Sequence, residues 1–163
     1  AQLFGSGPML QHVLKAQKLL AENHDVSADV WSATSYHQLR VDALEADRWN
    51  RLHPEEAARQ PYVTSQLEPA EGPVVAAGDS IKAVPDQIAR WVPNFYVPLG
   101  TDGFGRSSSR EELRRFFEVD AEHVTVATLW ALANTGDVKP EEVTDAIKRY
   151  DIDPERVSPP FAN

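Results

Sequence analysis

The sequence predicts an α/β fold: a three-layer sandwich on a mixed, mostly parallel sheet, followed by C-terminal helices. Short apolar runs alternate along the chain with longer segments whose apolar residues recur every three or four positions, which is the spacing of an amphipathic helix. The chain has 163 residues, of which 42% are hydrophobic and 25% charged. This length and composition are ordinary for one globular domain with one core. We therefore expect a single domain over residues 1–163.

Five segments have the length and composition of strands. They span residues 2–4, 28–34, 61–67, 73–77 and 94–99. Only residues 68–72 separate the third segment from the fourth, which is too short for a helical crossover. If these two segments pair, they must therefore be antiparallel. The predicted sheet is five-stranded and mostly parallel, with one antiparallel strand.

Six segments are predicted to be helices, over residues 8–23, 38–49, 80–91, 109–117, 124–134 and 140–150. Pro8 suits the first helical position, where an N–H would have no partner. Ser109 and Glu112 have the spacing of a capping box. Pro85 lies inside the third helix and is expected to kink or delay it.

The composition excludes several functional classes. A formal net charge of −9 argues against a nucleic-acid partner, because phosphate contacts need clustered Lys and Arg. Cysteine is absent from the sequence, so disulfides and thiolate chemistry are excluded. No apolar run approaches the roughly 20 residues of a membrane span. We expect a cytoplasmic protein with no membrane partner.

The start of the chain predicts a fragment. It opens at Ala1 and not at Met, and residues 2–4 already have the pattern of a strand. A natural protein rarely begins in the middle of a strand without a leader. We therefore expect that the chain is a piece of a longer polypeptide.

The loop after the last predicted strand is the most informative stretch, and it reads Gly-Thr-Asp-Gly-Phe-Gly-Arg-Ser over residues 100–107. Its glycines permit left-handed backbone angles, so the loop can fold back and place Asp102 beside Arg106. Such a loop is either an anion site served by Arg106 or a rigid corner with Phe104 packed into the core or a partner. We favour the corner. The residues of this possible structural or anion-binding loop are Gly100, Asp102, Gly103, Phe104, Gly105, Arg106 and Ser107.

Other candidate motifs fail on inspection. A Gly-Ser-Gly turn follows the first strand, but Leu10 stands where a dinucleotide fingerprint needs its third glycine. The histidines do not share a metal-ligand spacing, and a surface or supporting role is expected for each of them: His12, His24, His37, His53 and His123. We predict no catalytic, cofactor-binding or metal-binding residue in this segment.

The segment over residues 124–134 is apolar on nearly every side. Such a helix is expected to be buried, either in the core or at a subunit contact. The candidate interface residues are Leu129, Trp130 and Leu132.

Several segments, taken in order, resemble the C-terminal domain of transketolase-like enzymes. They lie at residues 2–7, 29–35, 48–54, 97–107 and 117–120. The most similar family is the homodimeric, thiamine-diphosphate-dependent pyruvate dehydrogenase decarboxylating component. The segments Arg-Trp-Asn-Arg-Leu-His-Pro at 48–54 and Gly-Thr-Asp-Gly-Phe-Gly-Arg-Ser at 100–107 separate it from transketolase itself. Ser108 departs from the family pattern, which has Asp there, although Ser also caps helices.

The resemblance implies a parent enzyme of three domains, of which this chain is the third and mainly stabilises the dimer. Thiamine diphosphate and Mg²⁺ belong to the parent's other domains, so none is expected here. The implied parent reaction is pyruvate decarboxylation, followed by reductive acetylation of lipoyl groups on an acetyltransferase core. The implied partners are the remaining domains, the twin subunit and that core. The fragment alone is expected to be inactive.

Two rival interpretations remain open at the level of sequence. One is a stand-alone α/β enzyme whose site includes His37, Asp102 and Arg106. The other is a regulatory module that binds a phosphate or an acidic peptide through the loop over residues 100–109.

Overall fold

The computed structural model describes residues 1–162 as a parallel β-sheet covered by helices on both faces. The strands are β1 (Gln2–Gly5), β2 (Asp29–Ser32), β3 (Val74–Ala77) and β4 (Tyr96–Leu99). The helices are α1 (Leu10–His24), α2 (Tyr36–Leu52), α3 (Tyr62–Leu67), α4 (Ala83–Asp86), α5 (Arg110–Phe116), α6 (Ala121–Thr135) and α7 (Pro140–Arg149). Short 3-10 turns lie at Gly7–Met9, Ala89–Trp91 and Pro159–Phe161.

The strand order is β2-β1-β3-β4, and every pairing in the described sheet is parallel. Gln2 is in register with Asp29 on one side and with Val74 on the other. The chain moves outward from β1 to β2 and then returns across β1 to reach β3. The connections therefore reverse between β1 and β3, and the carboxyl ends of these strands border the crevice where such sheets hold ligands.

Two apolar clusters on opposite faces of the sheet make the three layers. Neighbouring residues of a strand point to opposite faces, so Leu3 and Phe4 enter different clusters. Leu3 and Val75 pack with α1 and α6, whereas Phe4 and Val74 pack with α2 and α3. The prediction of an α/β sandwich is confirmed in this respect.

The predicted antiparallel strand at residues 61–67 is wrong. Tyr62–Leu67 is the helix α3, and the described sheet has four strands instead of five. Val63 and Leu67 are four residues apart and both buried, which is the spacing of a helix face. The alternation that indicated a strand is also compatible with one and a half helical turns. The segment is therefore part of the crossover that connects β2 to β3.

The predicted helix over residues 80–91 is present only in two short pieces. Ala83–Asp86 forms a single α-helical turn, and Ala89–Trp91 forms a 3-10 turn. Pro85 lies inside the first piece and lacks the N–H that a continuing helix needs, which agrees with the expected interruption. The remaining predicted helices are present with shifted ends. None of the helices in residues 1–162 combines the length and the apolar character that crossing a membrane requires.

Candidate functional site

The carboxyl edge of the sheet is held by contacts between the loops that follow β3 and β4. The Thr101 amide donates to the Ser80 carbonyl at 2.8 Å, and the Lys82 amide donates to Asp102 Oδ1 at 2.9 Å. Gly100 is buried between these loops, and a Cβ atom there would lie 2.5 Å from the Ser80 carbonyl oxygen. Only glycine permits this close approach of the two backbones.

The C-terminal tail packs on the other side of the same loop. Gly103 has φ +113°, and a Cβ there would lie 2.8 Å from the Pro159 carbonyl oxygen. Arg106 donates from Nη2 to the Ala162 carbonyl at 2.9 Å. Its guanidinium carbon also lies 4.3 Å from the centre of the Phe116 ring, which is a cation–π distance. The glycine loop is therefore fixed between the sheet and the tail.

The expected pairing of Asp102 with Arg106 does not form, because each side chain has another partner. Asp102 accepts from the Lys82 amide and Arg106 donates to the tail. Phe104 is 77% exposed, so it is not packed into the core of this chain. Ser107 is also exposed in the loop.

The predicted capping box is confirmed. Ser109 Oγ accepts from the Glu112 amide at 3.2 Å, and Glu112 Oε2 accepts from the Ser109 amide at 3.2 Å. The Ser108 hydroxyl also donates to Glu112. These hydrogen bonds stabilise the ionised carboxylate, so the pKa of Glu112 is lowered by Ser108 first and then by Ser109. The serine at position 108, where the resembled family has Asp, therefore supports the start of α5 through Glu112.

A cleft of about 510 Å³ opens between this loop, α5 and the turn after β1. We call it the arginine cleft. Its lining residues are Pro8, Met9, Asp79, Thr101, Gly103, Gly105, Arg106, Arg110, Leu113, Arg114, Phe117 and Val119. Neither Asp102 nor His37 is among them. The stand-alone enzyme site that combines His37, Asp102 and Arg106 is therefore not assembled around this cleft.

His12 orients one of the three arginines of the cleft. Its Nε2 accepts from Arg114 Nη1 at 2.7 Å, which assigns the ring proton to Nδ1. Nδ1 is buried and has no hydrogen-bond partner among residues 1–162. Burial lowers the pKa of His12, and the positive charge of Arg114 lowers it further. The ring is therefore held in its neutral form, the only form in which it can accept from Arg114.

A second polar cluster surrounds Asp120 at the start of α6. Asp120 Oδ1 accepts from the His123 amide at 2.9 Å and from His123 Nδ1 at 2.6 Å. Arg115 lies 3.5 Å from the other carboxylate oxygen. Burial acts to raise the pKa of Asp120, but the hydrogen bonds from His123 and the nearby positive charges outweigh it, so the pKa is lowered. Asp120 is thus a helix cap kept in its ionised form.

A third cluster joins α1 to α7. The His24 side chain is only 2% exposed, and its Nδ1 donates to Glu142 Oε1 at 2.8 Å. In this tautomer, Nε2 accepts from the Tyr150 hydroxyl at 2.9 Å. Sequence reasoning missed this cluster, because the partners of His24 lie 118 and 126 residues away. No local motif indicates such a contact.

The described residues do not fit a thiamine diphosphate site. Among residues 1–162, no group of three or more His, Asp or Glu side chains is placed to hold a metal ion. In the part of the chain that the structure describes, Asp79 is the only carboxylate that lines the arginine cleft, whereas a magnesium diphosphate site takes several oxygen ligands.

The candidate interface residues of α6 differ in exposure. Leu129 and Leu132 are buried in the core of the chain itself, so they are not available to a partner. Trp130 is 47% exposed, and its ring centre lies 5.7 Å from that of Phe95, which is 42% exposed. We call these two rings the aromatic patch. It lies beside β4, at an edge of the sheet that no described strand covers.

Fold and sequence together define the class of protein. The sequence model of the family described as "Transketolase-like TK C-terminal domain" matches residues 1–120. The chain therefore belongs to this family.

Alignments to individual relatives define the similarity more specifically than the family model does. The chain is 50% identical over 159 residues to the pyruvate dehydrogenase E1 component of Pseudomonas aeruginosa. It is 46% identical over 162 residues to the same component of Escherichia coli, and 45% identical over 159 residues to that of Mycobacterium tuberculosis. These alignments cover 97%, 99% and 98% of this chain. The resemblance drawn from the sequence is confirmed.

The alignments cover only a small part of each relative. This chain spans 18%, 18% and 17% of the Pseudomonas, Escherichia and Mycobacterium proteins respectively. The chain thus corresponds to one segment of an E1 component, and the relatives are more than five times as long.

Proposed function

We propose that this chain is the C-terminal domain of a three-domain pyruvate dehydrogenase decarboxylating component and that its role is structural. The observation that carries the proposal is the coverage: nearly the whole chain aligns to less than a fifth of each E1 relative. The parent reaction is then pyruvate decarboxylation followed by reductive acetylation of lipoyl groups. Thiamine diphosphate and Mg²⁺ would be bound by other parts of the longer protein.

The proposed partners are the remaining domains, the twin subunit and the lipoyl-bearing acetyltransferase core, in the cytoplasm. The aromatic patch supports an assembly role. Two large rings stay about half exposed beside the edge strand β4, and such apolar surface favours association. Of the three interface residues predicted from the sequence, Trp130 alone remains available for this role.

A turnover assay tests the non-catalytic role. The chain is incubated with pyruvate, thiamine diphosphate and Mg²⁺, and released carbon dioxide is compared with a blank lacking protein. We expect no release above the blank. Decarboxylation above the blank would contradict the proposal.

Sedimentation equilibrium tests the assembly role. We expect concentration-dependent self-association of the chain, which Trp130→Ala weakens because the variant removes half of the aromatic patch. Val157→Ala is the matched control, since Val157 is exposed but lies on the tail. Equal association of both variants and the parent chain would place the contact elsewhere.

A further inference from the structure

We propose that the arginine cleft binds a small phosphate ester with a compact apolar group. This inference goes beyond the structural role proposed above, because it assigns a ligand to this domain alone. The first argument is the position of the cleft in the fold. The cleft lies beyond the carboxyl ends of β1, β3 and β4, next to the crevice where the strand connections reverse. Open α/β sheets bind ligands at this place because loops from several strands converge there.

Charge supplies the second argument. Arg106, Arg110 and Arg114 line the cleft, and among residues 1–162 the only carboxylate that lines it with them is that of Asp79. This is a surplus of two positive charges on a chain whose formal net charge is −9. A phosphate monoester carries about −1.5 to −2 charges at neutral pH, so its charge matches the surplus. None of the three arginines lies within 4.0 Å of a carboxylate in the part of the chain that the structure describes.

A second cleft, which lies on α2, differs from the arginine cleft in the charges that line it. It also contains three arginines, but Glu45 and Asp47 line it as well. Arg90 forms an ion pair with Asp47 at 3.0 Å there. The lining of that cleft therefore has a surplus of one positive charge and an internal ion pair, whereas the lining of the arginine cleft within residues 1–162 has a surplus of two and no ion pair.

Two of the three guanidinium groups are already oriented. Arg114 is held by the neutral ring of His12, and Arg106 is held by the Ala162 carbonyl and the Phe116 ring. Each of these hydrogen bonds uses one of the five N–H donors of an arginine, so donors remain for a ligand. The planar arrangement of these donors matches phosphate oxygens in pairs. A site that is oriented beforehand loses less conformational entropy when the ligand binds.

The apolar part of the lining indicates which chemical group the phosphate of the ligand carries. Met9 and Val119 are buried, and Leu113 and Phe117 complete an apolar wall next to the arginines. A volume of about 510 Å³ lies within the range of small-molecule sites and exceeds what a bare phosphate fills. A phosphate ester with a compact apolar group uses both parts of the cleft.

Titration calorimetry with three probes at fixed ionic strength tests the ligand class. The probes are phenyl phosphate, inorganic phosphate and succinate, a dicarboxylate of similar charge. We expect phenyl phosphate to bind with a Kd of about 1 mM or below, inorganic phosphate more weakly, and succinate most weakly. No binding of phenyl phosphate overturns the proposal. Succinate binding as tightly as phenyl phosphate also overturns it, because the site then selects charge alone.

Variants locate the site. Arg110→Gln removes a charge from the cleft at an exposed position, and Arg114→Lys keeps the charge but loses the planar donors. Each is expected to weaken phenyl phosphate binding about tenfold. Arg40→Gln is the matched control, since Arg40 is exposed on α2 and does not line the arginine cleft. Thermal unfolding of each variant verifies that it is folded.

The control also decides between a site and a general surface effect. Equal weakening by Arg110→Gln and Arg40→Gln would show only non-specific attraction, which overturns the proposal. Unchanged binding by Arg110→Gln and Arg114→Lys, with both variants folded, overturns it as well. Weakening by these two variants with Arg40→Gln unchanged supports it.

Discussion

The His24 ring accepts a hydrogen bond from the Tyr150 hydroxyl at 2.9 Å, across 126 residues of sequence. Glu142 accepts from the other ring nitrogen at 2.8 Å, so the last helix is joined to the first by one buried side chain. The sequence model of the family ends at residue 120, before α6 and α7 begin. This cluster therefore connects α7 to the part of the chain that the family model matches.

Tyr150→Phe tests the contribution of this connection. The change leaves His24 Nε2 buried without its donor, and we expect the free energy of unfolding to fall by about 1–2 kcal/mol. Tyr62→Phe is the control, because the Tyr62 ring is exposed and its hydroxyl makes no described hydrogen bond. Urea denaturation measures both variants. Equal stability of the two would show that the hydrogen bond does not hold α7 in place.

Gly100→Ala and Gly105→Ala form a second matched pair. The added methyl group at Gly100 would meet the Ser80 carbonyl oxygen at 2.5 Å, and we expect a loss of about 1–3 kcal/mol from this overpacking. At Gly105 no atom lies within 4 Å of the added carbon, so we expect a change within about 0.5 kcal/mol. Urea denaturation curves measure the free energy of unfolding of both variants. A loss at Gly105 comparable to that at Gly100 would mean that flexibility, not close packing, requires glycine in this loop.

The sequence predicted local features better than distant ones, for a physical reason. The capping box of Ser109 and Glu112 involves residues three apart, and its two hydrogen bonds depend on residue types that can be read directly. The partner of Asp102 is a backbone amide of another loop, which any residue except proline offers. No pattern of side chains could therefore separate this partner from Arg106.

Short segments also limited the prediction of secondary structure from the sequence. Residues 61–67 satisfy both a strand pattern and a helix pattern, because seven residues make fewer than two helical turns. Packing decides the outcome: Val63 and Leu67 fit the same cluster as Phe4. The positions of the other four strands were predicted from their β-branched and aromatic residues, whereas their order in the sheet was not predicted.

The stability of the chain should depend on the protonation of His12. Because burial and Arg114 lower its pKa in the folded state, the unfolded chain takes up the proton first as the pH falls. The contribution is complete above about pH 6.5, the ordinary value for histidine, and is lost as the pH decreases below it. His12→Gln should therefore flatten the fall in unfolding free energy between about pH 7 and pH 5.

The control for this prediction is His37→Gln, which removes a histidine from an exposed position of α2. It should leave the pH dependence of the parent chain unchanged. A slope that persists in His12→Gln would assign the effect to another group.

Leu129 and Trp130 are neighbours in sequence with opposite environments. Leu129→Ala should cost about 2–5 kcal/mol, because it opens a cavity in a fully buried position of the core. Trp130→Ala removes a half-exposed ring and should cost less than about 1 kcal/mol in a dilute, unassociated sample. Unfolding at low protein concentration measures both. A large loss in Trp130→Ala under these conditions would make Trp130 a core residue and remove it from the proposed interface.

Asp120→Asn isolates the charge at the start of α6, because asparagine is also a good helix cap. The lowered pKa of Asp120 means that the folded state favours the ionised carboxylate. Its contribution is therefore present above the ordinary pKa of about 3.9 and is lost as the pH falls through the lower value of the folded state. We expect the variant to be less stable by about 1–2 kcal/mol at pH 7. This difference should shrink in acid, where protonated Asp120 resembles asparagine.

The control is Asp145→Asn, at an exposed carboxylate of α7, which should differ little from the parent chain at any pH. A difference for Asp120→Asn that stays constant down to about pH 3 would mean that the shape of the cap, and not its charge, holds His123 and Arg115 at this corner.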